Sequence, residues 1–174
     1  VTAGSVSGEY TGIYNGNTGS TVTVSGGSVS GKEWGISNYN ATATVTGGSV
    51  TSSSGYGIGN ESNGIFKLSG APTITGNTAG VYLDGGSITL GGELTYVEEK
   101  AISVGMETPG TFTSGWNSNM SGKTPGNYFT SAMDGYTVQP DGSGELKLAE
   151  PPAVETHAHD MSVACGGSSM TFEP

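Results

Sequence analysis

The chain of 174 residues has no arginine, one cysteine and two histidines, and only 11% of its residues are charged. Each scarcity removes a class of function. Five cationic residues, all lysine, stand against fifteen acids for a net charge of −10, so no basic patch is available for phosphate backbones and nucleic acid is not an expected partner. The lone Cys165 cannot close an intrachain disulfide. No run of about 18 apolar residues exists, so no membrane span is expected. No leader peptide is visible, and the pattern is already under way at Val1, which reads as a monomeric segment of a longer protein. Good helix formers are scarce beside Thr, Val, Ile and Tyr, so strands should dominate.

What is abundant is glycine, 32 residues of it, spaced with a rule. Four segments superpose at intervals of 21 to 24 residues, beginning at Gly4-Ser5-Val6, Gly27-Ser28-Val29, Gly48-Ser49-Val50 and Gly70-Ala71-Pro72-Thr73-Ile74. Each continues to a Gly-apolar pair (Gly12-Ile13, Gly35-Ile36, Gly57-Ile58, Gly80-Val81). Each closes on an alternating strand (Val22-Thr23-Val24, Ala43-Thr44-Val45, Phe66-Lys67-Leu68, Ile88-Thr89-Leu90). A repeat this short cannot bury its own apolar face and must stack on its neighbours. Three extended pieces per repeat, separated by Gly, Asn and Ser turns, predict an all-β fold. The expected form is a right-handed parallel β-helix of three strands per rung and four to five rungs, closed by a small C-terminal β cap.

Alternation assigns the interior: Val6, Val29, Val50, Ile74 and Leu94 in one column, Ile13, Ile36, Ile58 and Val81 in the next, and two columns from the third strand. Domain boundaries follow, with repeats over 1–104, a capping segment with a hairpin over 105–149, and a linker leading into a following module over 150–174. Trp116, Met120, Tyr128, Phe129 and Tyr136 supply an apolar lid for the end of the coil.

Three sets of residues are candidates for more than packing. Asn15, Asn38 and Asn60 recur three positions after the repeat glycine; stacked amides form a structural ladder along the axis, a reading preferred over a ligand site. Trp34 and Tyr56 precede the repeat Gly in successive rungs, with Tyr14 and Tyr82 facing solvent nearby, and such rings can hold sugar faces. His157, His159 and Cys165 carry metal-binding atoms but lack a recognised ligand spacing, so no metal site and no cofactor are assigned. The outer faces carry rows of hydroxyls such as Ser28/Ser30, Ser49/Thr51 and Thr73/Thr75, which is similar to ice-binding solenoids, although Lys67 interrupts one face.

Catalysis is not expected. Glycoside hydrolysis needs two carboxylates facing each other across about 5–9.5 Å. The four acids before residue 90 (Glu9, Glu33, Glu61, Asp84) fall at scattered phases of the repeat; Glu9 and Glu33 are the pair that could share an edge, with Lys32 beside them.

The runs Val24-Ser25-Gly26-Gly27-Ser28-Val29 and Thr75-Gly76-Asn77-Thr78-Ala79-Gly80-Val81-Tyr82 resemble right-handed β-helix repeats of large bacterial surface proteins, particularly those of gut Firmicutes. Glu107-Thr108-Pro109-Gly110 to Phe129-Thr130-Ser131, followed by Gly135-Tyr136-Thr137-Val138, is similar to the segment that closes such arrays. The tail from His159-Asp160 to Phe172-Glu173-Pro174 resembles the start of a following module in such chains. The resemblance implies an extracellular, cell-surface, adhesin-like bacterial protein without an assigned catalytic residue. Its expected partner is a carbohydrate or a host surface glycoprotein. A pectate-lyase-like polysaccharide-processing fragment and an ice-binding solenoid are the alternatives.

Overall fold

The computed structural model describes residues 1–95 and 101–153. His157, His159 and Cys165 lie outside the described residues.

Every repeat folds into three short strands joined at corners. The first rung holds β1 (Ser5–Ser7), β2 (Thr11–Asn15) and β3 (Thr21–Val24); the second β4 (Ser28–Gly31), β5 (Trp34–Tyr39) and β6 (Thr42–Val45). The third holds β7 (Ser49–Ser52), β8 (Tyr56–Glu61) and β9 (Ile65–Gly70), and the fourth β10 (Thr73–Thr75), β11 (Ala79–Asp84) and β12 (Ile88–Leu94). Beyond them come β13 (Ile102–Met106), β14 (Thr113–Ser114), a single helical turn α1 (Trp116–Asn119), β15 (Phe129–Ser131) and the strands β16 (Thr137–Pro140) and β17 (Leu146–Ala149).

Each strand pairs in parallel with its counterpart one repeat away. The first sheet runs β1-β4-β7-β10, the second β2-β5-β8-β11-β13-β15 and the third β3-β6-β9-β12-β14. The result is an all-β parallel solenoid of about five turns. Register follows the repeat residue for residue: Val6 meets Val29 and Val29 meets Val50, Ile36 meets Ile58 and Ile58 meets Val81, Val45 meets Leu68 and Leu68 meets Leu90. Apart from Val6, these side chains are buried between three sheets, and each one removed from water contributes about 1.5–3 kcal/mol. Val6, Ile13 and Val22 are only partly buried, because the first rung has a neighbour on one side alone.

The Gly-apolar pair marks the corner where the first and second sheets converge. A Cβ on Gly57 would sit 2.7 Å from the carbonyl oxygen of Gly80 and 2.8 Å from that of Thr75, both backbone atoms with no freedom to retreat. The aliphatic residue that follows then turns inward. At the opposite corner, Gly27, Gly48 and Gly70 adopt φ of 66°, 74° and 69°, a conformation that lets the chain turn from the third sheet into the first without Cβ strain.

Parallel pairing carries on through β14 and β15, so the coil and the closing segment interleave after residue 104. Trp116, Met120, Tyr128 and Phe129 join the core cluster together with Phe112, Leu146 and Leu148, and Tyr136 packs against it. Phe112 and Phe129 meet edge-on, with centroids 5.4 Å apart. The antiparallel β16-β17 hairpin is tied to the coil where Phe112 N–H donates to the Leu146 carbonyl at 2.8 Å.

Leu94 departs from the expected first-sheet column. It is fully buried, but its partner is Gly70 at the end of the third sheet rather than Ile74. An irregularity between Leu90 and Leu94 lengthens β12 and shifts the register, which the repeat period could not reveal.

Candidate functional site

The outer face of the second sheet concentrates the chemistry of the described residues. Ile36, Ile58 and Val81 point inward, so their neighbours Ser37, Gly59 and Tyr82 point out, as do Tyr39, Glu61 and Asp84 two positions further along. Trp34 and Tyr56 are in register at the leading edge. The Trp34 ring lies over Gly59, and a side chain there would occupy the same space as the indole. From that position Trp34 stacks on Tyr56 with centroids 4.8 Å apart and planes 27° apart, and Tyr56 meets Tyr82 at 4.8 Å and 36°. Three rings from three successive rungs thus form one strip, roughly 10 Å long at the spacing between adjacent strands.

Tyr82 is the anchor of the strip. Its hydroxyl donates to Glu107 Oε2 at 2.6 Å. That hydrogen bond, and secondarily burial and the neighbouring carboxylates, holds the phenol protonated far above its ordinary range. Tyr14 belongs to the same outward column, separated from Tyr82 by Ser37 and Gly59, but the ring contacts described join only Trp34, Tyr56 and Tyr82. The Tyr14 ring rests against Gly16 and is 68% exposed. At the far end of the strip, a pocket of about 190 Å³ opens beside Tyr56 and Tyr82, walled by Ala79, Met106, Ala132 and Met133.

Beside the rings runs a column absent from the sequence reading. Tyr39, Glu61 and Asp84 are successive register partners. The N–H of Glu107 bonds to the Leu83 carbonyl at 2.9 Å, which places Glu107 next in line. Far from lying at scattered phases, three carboxylates share one face with the aromatic strip. Glu61 feels the crowding: burial and then the Asp84 carboxylate push its pKa up. The signal was present in the spacing, since 39, 61, 84 and 107 follow the repeat period, but the change of residue type along the column concealed it.

Glu9 and Glu33 do not form the pair that their numbers suggest. Glu33 N–H bonds to the Tyr10 carbonyl at 2.9 Å, so Glu33 stacks on Tyr10, one position out of step with Glu9. Glu9 instead lines a shallow groove of about 510 Å³ with Lys32, whose ammonium lies 5.9 Å from the Tyr10 ring centroid. The first sheet carries two hydroxyl columns in register, Ser5-Ser28-Ser49-Thr73 and Ser7-Ser30-Thr51-Thr75. On the third sheet, Thr21 and Thr42 lead to Ile65, and Thr23 and Thr44 to Lys67, so both columns are interrupted there.

The three asparagines are interior. Asn15 Nδ2 donates to Asn38 Oδ1 at 2.8 Å, and Asn38 Nδ2 donates to Asn60 Oδ1 at 2.7 Å. The chain of amides ends where Asn60 Nδ2 donates to the Gly64 carbonyl at 2.8 Å, since Leu83 occupies the next position. Asn38 and Asn60 have no exposed surface, and every amide donor serves a backbone carbonyl or the next amide. In the closing segment, Glu145 was not singled out by sequence reasoning. Its carboxylate accepts from the backbone N–H groups of Gly115 and Trp116 and from the Thr113 hydroxyl, each at 2.9 Å, so it ties the hairpin to the start of α1.

Among the described residues no helix is long and apolar enough to cross a membrane, and no group of three or more His, Cys, Asp or Glu side chains is placed to hold a metal ion. Comparison with family models, with curated proteins and with solved structures gives no match to the chain.

Proposed function

We propose that the chain is a non-catalytic, adhesive and structural segment of an extracellular bacterial surface protein, and that the outer face of its second sheet holds a glycan. The observation that carries the binding role is the Trp34-Tyr56-Tyr82 strip. Aromatic side chains on an outer sheet face do nothing for the coil's interior, and the stacked Trp34, Tyr56 and Tyr82 rings present their edges and the end of the stack at Tyr82 as apolar surface for the C–H groups of a sugar. The β-solenoid itself supports the scaffold role, since a rigid rod displays a face at a fixed distance. The surface location rests on the resemblance of the repeats to those of gut Firmicutes surface proteins. Glycan-array screening followed by titration calorimetry tests the binding role. Trp34→Ala and Tyr56→Ala should each abolish binding of any hit while leaving the unfolding midpoint close to that of the parent chain. Equal affinity in the parent and both variants refutes it.

A second reading, a polysaccharide-processing fragment, draws on Glu61 and Asp84. Two carboxylates on adjacent strands beside the aromatic strip, with burial pushing the Glu61 pKa up, supply the residue types that a general acid and a nucleophile require. Release of reducing ends that disappears in Glu61→Gln would establish it over the adhesive reading.

A further inference from the structure

The charge of the second-sheet face has a consequence for what it can hold. Glu61, Asp84 and Glu107 occupy consecutive rungs of one outward column, and Tyr82, bonded to Glu107, belongs to both the acidic column and the aromatic strip. Strands in a sheet lie about 4.8 Å apart, so the carboxylates repel one another along the column. Among the described residues, no lysine offsets them. Lys67 faces out from the third sheet, Lys123 is paired with Glu93 at 2.9 Å, Lys32 lies over Tyr10 and Lys147 is in β17 of the closing hairpin.

A ligand with a carboxylate, such as a uronate or sialate, would add a like charge to this face. A ligand with an ammonium group would find the carboxylates on one side and the outer face of Tyr82 on the other, and cations are drawn to both. Resting on the glycan-binding reading above, we propose that this face selects glycans carrying free ammonium groups, that is, deacetylated amino sugars. The pyranose ring packs on the face of Tyr82 turned away from Tyr56, in the pocket beside Ala132 and Met133, while its ammonium group is held by Glu61 and Asp84. Glu107 acts as a positioning residue, fixing the Tyr82 ring through its hydroxyl.

The test is calorimetric titration of the full chain with three tetramers: glucosamine, N-acetylglucosamine and galacturonate. The glucosamine tetramer should bind roughly tenfold more tightly than the acetylated one, the sum of two modest exposed charge pairs at low salt. Galacturonate should bind weakest. Raising ionic strength until the Debye length falls to about 3 Å should erase the preference for glucosamine without any variant being made. Glu61→Gln combined with Asp84→Asn should bring the glucosamine affinity down to the level of the acetylated tetramer, whereas Lys67→Gln on the third sheet serves as the unchanged control.

If the acetylated or galacturonate tetramer binds as tightly as glucosamine, the charge selection is wrong and the aromatic platform stands. If none of the three binds, and no hit on a broad array depends on Trp34, the platform itself is wrong and the selection falls with it.

Discussion

Cutting the amide ladder at its centre should cost far more than cutting it at its end. Asn38 is fully buried and makes four hydrogen bonds through its side chain: it accepts from Asn15 at 2.8 Å and donates to Asn60 Oδ1 at 2.7 Å, to the Ala41 carbonyl at 3.0 Å and to the Ile65 carbonyl at 3.2 Å. In Asn38→Ala the Ala41 carbonyl keeps the Ile65 N–H at 2.8 Å, but Asn60 Oδ1 is left facing a void. Two amide–amide bonds at about 1 kcal/mol each, plus about 1–3 kcal/mol for an orphaned buried acceptor, give a loss of roughly 3–5 kcal/mol. Asn15→Ala also takes the donor from Asn38 Oδ1 and the bond to the Thr42 carbonyl, but it does so at the first rung, where Asn15 is 7% exposed and water can replace the lost donor, so its loss should be nearer about 1–2 kcal/mol. Asn38→Asp is the sharper probe. Its carboxylate would face three acceptors, so its folded-state pKa must be raised above the unfolded value. Its stability is then greatest at low pH and falls as pH rises through the carboxylate range. Urea unfolding monitored by far-UV circular dichroism reads all three variants. A cost for Asn38→Ala below about 1 kcal/mol, or equal to that of Asn15→Ala, would refute the view that the ladder is a cooperative interior element.

Gly57→Ala should destabilise the coil by several kcal/mol, because the added methyl meets two fixed backbone oxygens; thermal denaturation of the variant checks this. Gly59→Ala removes the indole's seat, so the near-ultraviolet dichroism of the coupled Trp34 and Tyr56 rings should weaken while the far-ultraviolet spectrum persists. Glu145→Ala should cost about 2–3 kcal/mol by releasing two backbone N–H groups and a hydroxyl, with amide exchange rising first around Gly115 and Trp116. Asp141 accepts from the Ser143 hydroxyl and N–H, and these bonds hold its pKa at about 2. A depressed folded-state pKa means that its contribution is present above the ordinary aspartate range and fades as pH falls toward about 2. Amide exchange in the β16-β17 turn should therefore accelerate over that window in the parent chain, and Asp141→Asn should blunt the change.

The coil is legible in the sequence because a solenoid turns sequence periodicity into spatial adjacency. When Val24 pairs with Val45 and Val45 with Leu68, the same local choice, apolar or hydroxyl, glycine or not, repeats at each rung. The Asn positions could be read for the same reason: an amide that recurs in phase has its own kind as neighbour. Where the repeat loses phase, inference along the chain loses its ruler. Leu94 moved from the first-sheet column to the third because a local irregularity inserted extra length. Glu145 caps α1 across about 30 residues of non-repeating chain, a pairing that only closure of the end could make. The acidic column was hidden for a subtler reason. Solvent-facing positions are free of the packing that forces like to follow like, so Tyr39, Glu61, Asp84 and Glu107 share a column without sharing a chemistry. Periodicity alone therefore decided the interior of the four repeats, while the closing end of the core and the candidate binding face emerged only when the rungs were stacked and side chains distant in sequence met.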